Sequence, residues 1–175
     1  TEEGVPVRNN FNFDSDVDGH VCPFQAHVRK TNPRGDVRRQ FGLPDDSGDR
    51  TPIMARRGIT YGERPDLEDG SGHPPPTGGV GLLFMAYQRS LIDQFEFTQK
   101  SWANNEQFLR GDPPVGIDPV IGQGGSAPQN WPNPIGSQTT TPFRFADFVT
   151  MRGGEYFFAP SISFLKRLSQ PLEIS

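Results

Sequence analysis

The sequence is poor in cysteine, in net basic charge and in long apolar runs. Cys22 is the only cysteine among 175 residues, so the chain can form neither an internal disulfide nor a zinc site built from several thiolates. Seventeen basic residues against 21 acidic residues leave a net charge of −4, which argues against a nucleic-acid-binding protein. No apolar run approaches the roughly 18 residues that a transmembrane helix needs, so we predict no membrane span.

The residues that are abundant predict one loop-rich domain. A chain of 175 residues has the size of a single domain, and its 14 phenylalanines can anchor a core because aromatic side chains bury large areas. Its 20 glycines and 18 prolines favour long loops over a helical bundle. We divide the chain into a polar, extended N-terminal arm, residues 1–20, and a domain that spans residues 21–175.

Apolar patterning predicts the regular segments of this domain. Residues 79–88, "GVGLLFMAYQ", are a nearly continuous apolar run and predict a buried strand. Residues 89–105 predict a helix with one apolar face, and residues 143–161 predict a β-hairpin that turns at "RGG". A final helical turn is expected in "SFLKRLSQ", whereas residues 110–142 contain too many prolines for regular structure. This order of segments predicts an α+β fold with long loops.

Among three histidines, His27 is the one whose surroundings suggest chemistry. His20 and His73 lie among glycine, aspartate and proline, so we expect both in exposed loops. His27 lies in "CPFQAHVRKTNPR", where apolar neighbours precede a basic run, and it is either a packing residue or a ligand. No second histidine stands at zinc-ligand spacing, and the sequence has no Gly-x-Ser-x-Gly, Walker or His-Glu-x-x-His motif. A single histidine still suits haem, whose iron needs only one axial bond from the protein.

Six segments in order resemble the dye-decolourising peroxidases, and most of all their fungal-type branch. They are "CPFQAHVRKTNPR", "ARRGITYG", "GLLFMAYQ", "QFEFTQKSWAN", "GIDPVIG" and "GGEYFFAPS", and together they run from about Cys22 to Ser163. Members of this family are built from two ferredoxin-like α+β halves, each an antiparallel sheet with helices, and hold haem b chiefly in the second half. The resemblance covers the C-terminal, haem-binding half only, so it implies half of a dimeric ferredoxin-like fold.

On the proximal side of the haem, the resemblance implies three roles. His27 would be the axial ligand of the iron, and Asp118 in "GIDPVIG" would accept a hydrogen bond from the other ring nitrogen. Taken alone, Asp118 before Pro119 is equally typical of an Asx turn. Arg34 would pair with a haem propionate, because a guanidinium fork suits a carboxylate. The remaining basic residues of this run are expected on the surface.

On the distal side, the resemblance implies an arginine and an apolar wall. Arg56, with Arg57 as the alternative register, would bind the hydroperoxide anion and stabilise the charge that develops as the O–O bond breaks. Without the resemblance, this pair is equally typical of a surface cation cluster. Leu82 and Phe84 would narrow the pocket so that only molecules of the size of hydrogen peroxide enter.

Bulky dyes and phenolics would need an oxidisable residue at the surface. Tyr61 is the first candidate for such a radical site. Trp102 is the second, and its alternative is a place on the buried face of its helix.

One part of the family pattern is missing from the chain. The distal acid of the family lies in a Gly-x-x-Asp-Gly motif, and neither "SDVDG" nor "DLEDG" matches this motif or its place in the order. We therefore expect a separate chain to carry the N-terminal half with the distal aspartate, and the polar start suits a cleavage site in a linker. The alternatives are a non-catalytic haem-binding subunit and a carbohydrate- or protein-binding loop module in which His27 is only a packing residue. The resemblance alone suggests an extracellular protein.

Overall fold

Helices and short antiparallel strand pairs alternate along the chain in the computed structural model. It describes residues 10–63, 70, 72, 78–110, 114–124, 128–133, 136–143 and 149–168. The mixture confirms the α+β fold class. The helices are α1 (His27–Thr31), α2 (Asp36–Phe41), α3 (Ser47–Arg50) and α4 (Ile162–Leu168), and the strands are β1 (Ala55–Arg56), β2 (Ile59–Tyr61), β3 (Gly81–Leu83), β4 (Ala86–Tyr87), β5 (Gln129–Pro132) and β6 (Thr140–Phe143).

The predicted helix within residues 89–105 forms, but with π-helical winding. It has two segments, Ile92–Glu96 and Thr98–Ala103, and we refer to both together as the π-helix. The Glu96 amide donates to Leu91 O at 2.9 Å and the Asn104 amide donates to Gln99 O at 3.0 Å, a spacing of five residues. Such winding is rare over two consecutive segments and is commonest near functional sites. Helix α1 packs against the second segment.

Strands β1 to β4 belong to one antiparallel ribbon with a constant register. Arg56 faces Ala86 across β1 and β4, and Thr60 faces Leu82 across β2 and β3. The register is the same in both pairs, and between them the Arg57 amide donates to Met85 O at 2.6 Å, so the chain passes from one pair to the other without a bulge. Side chains therefore keep their alternation along the whole ribbon, which spans residues 55–61 and 81–87.

The ribbon is exposed, which corrects the prediction of a buried strand at residues 79–88. Leu82, Leu83, Phe84 and Tyr87 are all exposed. A continuous apolar run predicts burial against a covering layer, and the described residues leave these four side chains largely uncovered.

Two further predictions about strands are wrong. Strands β5 and β6 pair inside the proline-rich segment that was expected to be irregular, with Trp131 facing Thr141. Their prolines are tolerated because each strand of a two-stranded pair is an edge strand. The predicted hairpin at residues 143–161 does not form in its described part, since no strand follows Phe143, whereas the final helical turn is confirmed by α4.

The small core lies between α2, the π-helix and the residues that follow it. Val37, Trp102, Phe108 and Leu109 are buried together, with Phe24 and Leu43 packed against them. Trp102 and Phe108 stack with ring centroids 5.1 Å apart and an interplanar angle of 9°. Residues 10–20, which we placed in an extended arm, form turns, and Phe13 is buried there.

Candidate functional site

The site is built around a pair formed by His27 and Asp118. His27 is the first residue of α1, and Asp118 is fully buried. Nδ1 of His27 lies 2.9 Å from Oδ2 and 3.1 Å from Oδ1 of Asp118. An ionised carboxylate only accepts hydrogen bonds, so this contact favours the tautomer with the proton on Nδ1. The structure thus brings together two residues that are 91 positions apart in the chain.

The Asp118 carboxylate is also held by its own loop. Oδ1 accepts hydrogen bonds from the amides of Val120 at 2.8 Å and Ile121 at 2.9 Å. This is the Asx turn that was the alternative interpretation of Asp118, and it coexists with the histidine contact. The turn points the carboxylate at His27 and restricts its rotation.

Lys30 fastens the loop that carries Asp118. Its side chain is fully buried, and Nζ donates to Asn105 O at 2.6 Å and to Gly116 O at 2.7 Å. Burial lowers the pKa of Lys30 to about 8, although the nearby carboxylates of Asp118 and Glu106 act in the opposite direction. From the other side, Gln129 Nε2 donates to Ile117 O at 2.7 Å.

The basic run after His27 is largely buried, which corrects the surface assignment for Arg29 and Lys30. Arg29 makes a two-pronged ion pair with Asp36, with Nε–Oδ2 at 2.7 Å and Nη2–Oδ1 at 2.9 Å. Its Nη1 also reaches Asp16 Oδ2 at 2.9 Å. The guanidinium carbon lies 4.4 Å from the Phe13 ring centre and 4.3 Å from that of Phe24. Every face and edge of the Arg29 guanidinium thus has a partner, which offsets part of the cost of burying its charge.

Arg34, the expected propionate partner, lies just beyond α1 in a left-handed backbone conformation with φ of 44°. Its Nη1 donates to Phe11 O at 3.0 Å, and its guanidinium carbon lies 4.1 Å from the Phe11 ring centre. The side chain is half-buried.

The ribbon brings the three expected distal residues to one face. Directly opposed residues share a face, and the constant register therefore places Arg56, Leu82 and Phe84 together. Arg57, the alternative register, alternates to the opposite face, and Nη1 of Arg57 donates to Arg56 O at 2.7 Å. Within the described residues, no strand of the ribbon packs against α1, so the helix that carries His27 makes no direct contact with the ribbon.

The π-helix links both sides of the site. Its second segment supports α1, while Gln94 in its first segment donates to Ile53 O just before the ribbon. Phe84 on the ribbon also lies near Phe95, with ring centroids 6.1 Å apart. The histidine side and the arginine side therefore both contact the π-helix.

The two candidate radical residues differ in exposure. Tyr61 is exposed on β2, on the face opposite Arg56, and its ring lies over Gly81. Trp102 is only 3% exposed, and its ring packs against Phe97 and Phe108. Trp102 thus occupies the buried face of its helix, which was the alternative interpretation.

The geometry of His27 fits an axial ligand of haem. Its side chain is 37% exposed, its Nδ1 is held by a buried carboxylate, and its Nε2 has no hydrogen-bond partner among the described residues. An imidazole anchored at one nitrogen and open at the other is the arrangement that metal-ligating histidines adopt. The described residues hold no cluster of three histidine, cysteine, aspartate or glutamate residues for a directly bound metal ion. A search of the same residues finds no helix long and apolar enough to span a membrane.

Several residues that build the site were not predicted from the sequence, chiefly Lys30, Gln129 and Gln25. Gln25 is buried, and its Nε2 donates to Asn130 O on β5. One signal was available, because Lys30 follows His27 by three positions and therefore lies on the same side of a helix. His73 and most of "DLEDG" lie outside the described residues.

The fold and the pair place the chain among α+β proteins that offer a single carboxylate-anchored histidine. No protein-family model matches the chain. The multifunctional dye peroxidase DyP2 of an Amycolatopsis species is 49% identical over 173 residues, covering 93% of this chain and 36% of that protein. The dye-decolorizing peroxidase AauDyP1 of Auricularia auricula-judae is 39% identical over 163 residues, covering 89% of this chain and 32% of that protein.

Solved structures agree with the sequence comparison. The structure of the Amycolatopsis DyP2 superposes with a TM-score of 0.77 at 44% identity, covering 95% of this chain and 37% of that one. A DyP-type peroxidase from an Anabaena species gives a TM-score of 0.75 at 43% identity, covering 92% of this chain and 32% of that one. The chain belongs to the dye-decolorizing peroxidase family, and it spans about a third of the length of the relatives it matches.

Proposed function

We propose that this chain is the haem-ligating part of a peroxidase of the dye-decolorizing type. The observation that carries the proposal is the His27–Asp118 pair, in which a buried carboxylate holds Nδ1 and leaves Nε2 open. His27 would bind the iron of haem b through Nε2, and Asp118 would keep the ring oriented and strengthen its donation. When bound, haem would supply an iron centre that reacts with hydrogen peroxide and accepts electrons from dyes or phenolic substrates.

The other predicted residues have roles that follow from their chemistry. Arg34 would exchange its contact with Phe11 O for a haem propionate, which suits its fork of donors better than one carbonyl does. Arg56 would bind the hydroperoxide anion, while Leu82 and Phe84 on the same ribbon face would exclude larger molecules. Tyr61 would carry electrons from substrates at the surface. Its exposure suits that role better than the burial of Trp102 does.

The proposal includes a second polypeptide that carries the N-terminal half of the fold with the distal aspartate. Two observations support it. The ribbon exposes apolar side chains beside Arg56, and Phe157 and Phe158 are exposed as well. The missing distal acid favours one alternative, a haem-binding subunit without turnover. An extracellular location is also proposed, on the resemblance alone.

Haem titration of the purified chain tests the ligand assignment. We expect one haem per chain and a Soret band typical of histidine ligation. The variant His27→Ala should lose this band and weaken binding at least tenfold, since the axial bond is its main anchor, and added imidazole should restore the band. His20→Ala is the matched control, because His20 bonds Gln138 and lies in a turn rather than on α1. A chain that binds no haem, or a His27→Ala variant that binds like the native chain, would exclude the proposal.

Turnover and mass measurements separate the enzyme from the binding subunit. We expect hydrogen peroxide to drive dye oxidation only when a second polypeptide is present, and native mass spectrometry of the active species should detect that polypeptide. Full activity from a single chain of this mass would refute the two-chain arrangement. Haem binding without peroxide-driven dye oxidation in the assembled complex would favour the non-catalytic subunit.

A further inference from the structure

Lys30 is a buried cation whose place is not explained by packing alone. It follows His27 by one helical turn on α1, and its side chain has no exposure. Burying an ammonium group is costly, and an apolar side chain of similar length would fill the same space without that cost. The two hydrogen bonds that Nζ makes must therefore provide something that an apolar residue does not.

Those two bonds join α1 to the segment that carries Asp118. Gly116, whose carbonyl accepts one bond, precedes Asp118 by two residues. Asn105, whose carbonyl accepts the other, follows Ala103 by two residues, and Ala103 O accepts the amide of Asp118 at 2.8 Å. Lys30 thus ties together the end of the π-helix, the Asp118 loop and the helix of His27.

Two glutamines connect the segments of the His27–Asp118 pair to β5. Gln129 on β5 donates to Ile117 O, so the two residues before Asp118 are each held by a side chain, Gly116 by Lys30 and Ile117 by Gln129. Gln25, two residues before His27, donates to Asn130 O on the same strand. These hydrogen bonds join α1, the Asp118 loop and β5 into one closed network, and His27 and Asp118 both lie on segments of this network.

We propose that Lys30 is a positioning residue that fixes the tautomer and orientation of His27 through Asp118. By holding Asn105 O and Gly116 O together, it keeps the Asp118 carboxylate opposite Nδ1, so that Nδ1 carries the proton and Nε2 stays available as the ligand atom. This inference rests on the proposed function, because it assigns a purpose to the open Nε2. Lys30 itself donates to neither His27 nor Asp118.

The test measures the tautomer of His27 in the haem-free chain by imidazole 15N and 13C NMR, with the His27→Ala variant used for assignment. In the Lys30→Met variant, the ratio of the Nδ1–H to the Nε2–H tautomer should fall about tenfold, the change that corresponds to losing one ordinary hydrogen bond. Exchange of the Nδ1 proton with solvent should accelerate by a similar factor. Lys100→Met is the matched control, because Lys100 is exposed and pairs with Glu96 at 3.0 Å; both quantities should stay unchanged.

A merely structural Lys30 would lower the thermal midpoint without changing the tautomer ratio, and that result in a folded Lys30→Met variant would overturn the proposal. If Lys30→Met does not fold, Lys30→Gln retains amide donors and provides the same measurement. Lys30→Gln should lower the ratio of the Nδ1–H to the Nε2–H tautomer, and an unchanged ratio in this variant would also overturn the proposal. A native chain that binds no haem would remove the proposed function, whatever the tautomer. If the native chain binds haem but the tautomer ratio is the same in the native chain and in Lys30→Met, only the positioning role of Lys30 is refuted.

Discussion

At the scale of single residues, the consecutive cations Arg29 and Lys30 are buried with different kinds of partner. Arg29 faces the carboxylates of Asp36 and Asp16, which its planar fork matches with parallel hydrogen bonds. Lys30 faces two backbone carbonyls, which a compact ammonium group can bridge. The first cation therefore balances buried charge, whereas the second connects segments of backbone.

Removal of Arg29 should be strongly destabilising. The variant Arg29→Met leaves the buried Asp36 and the partly buried Asp16 without their main counter-charge, so the free energy of unfolding should fall by about 3–5 kcal/mol. Arg38→Met is the control, because Arg38 is 36% exposed and its partners Asp14 and Asp46 are exposed as well. That change should cost less than about 1 kcal/mol. Urea unfolding measures both, and equal losses would show that Arg29 does not compensate buried charge.

The depressed pKa of Lys30 predicts a pH-dependent stability. Burial lowers this pKa from 10.5 to about 8, so between these values the unfolded chain holds a proton that the folded chain has released. Because stability rises with pH where the unfolded state binds more protons, the free energy of unfolding gains a favourable contribution from pH 8 to 10.5. Below pH 8 both states are protonated, and the contribution is absent. The neutral amine keeps two N–H groups, enough for both carbonyls.

The difference in unfolding free energy between the native chain and Lys30→Met isolates this contribution. It should grow between pH 7.5 and 10, whereas the same difference for Lys100→Met should stay flat. Burial raises the pKa of the Cys22 thiol and acts in the opposite direction, but Cys22 is present in all three chains and cancels. Parallel pH profiles for the native chain and Lys30→Met would contradict the assignment.

The sequence led to the His27–Asp118 pair through two motifs, and the structure places them in contact. It did not lead to Lys30, because the partners of Nζ lie 75 and 86 positions away and are backbone atoms, which have no sequence signature. Charged side chains are also exposed as a rule, so a basic run is naturally assigned to the surface. The family resemblance led to His27 and Asp118, whose own chemistry left a packing residue and an Asx turn as alternatives, whereas Lys30 is identified only by its distant partners.

At the scale of elements, apolar runs and prolines predicted structure correctly only where that structure depends on the segment itself and not on its neighbours. The helix at residues 89–105 was predictable because its apolar period is internal to the segment. Burial of the ribbon was not, because it depends on what covers it. The pairing of β5 with β6 was missed because prolines exclude a central strand but allow an edge strand.

The Asp118 loop depends on a glycine at position 116. Gly116 has a φ of +88°, which disfavours any other residue, and a Cβ there would overlap the Gln129 side chain that holds Ile117 O. Gly42 also has a positive φ, +63°, but nothing lies within 4 Å of its Cβ position, so Gly42→Ala measures the backbone strain alone. Gly116→Ala should cost at least about 1 kcal/mol more than Gly42→Ala in urea unfolding. Equal losses of unfolding free energy would mean that the Gln129 side chain moves aside without cost and does not stabilise the loop.

At the scale of the whole molecule, the described residues expose several large apolar side chains. Phe157 and Phe158 are 87% and 89% exposed, and Leu82 and Phe84 are exposed on the ribbon. Soluble proteins seldom leave several large apolar groups of this kind uncovered unless they form an interface.

The chain by itself should therefore bind a hydrophobic fluorescent probe and self-associate as its concentration rises. The double variant Phe157→Ser, Phe158→Ser should lower probe fluorescence by at least about half, because it removes two of the largest exposed apolar side chains. Phe41→Ser is the control, since Phe41 is exposed at the end of α2, away from the segment that carries the pair. Sedimentation velocity should show the native chain shifting to larger species while the double variant stays monomeric. If the double variant and Phe41→Ser behave alike, the two phenylalanines do not drive self-association, and the expectation of an interface at this segment is wrong.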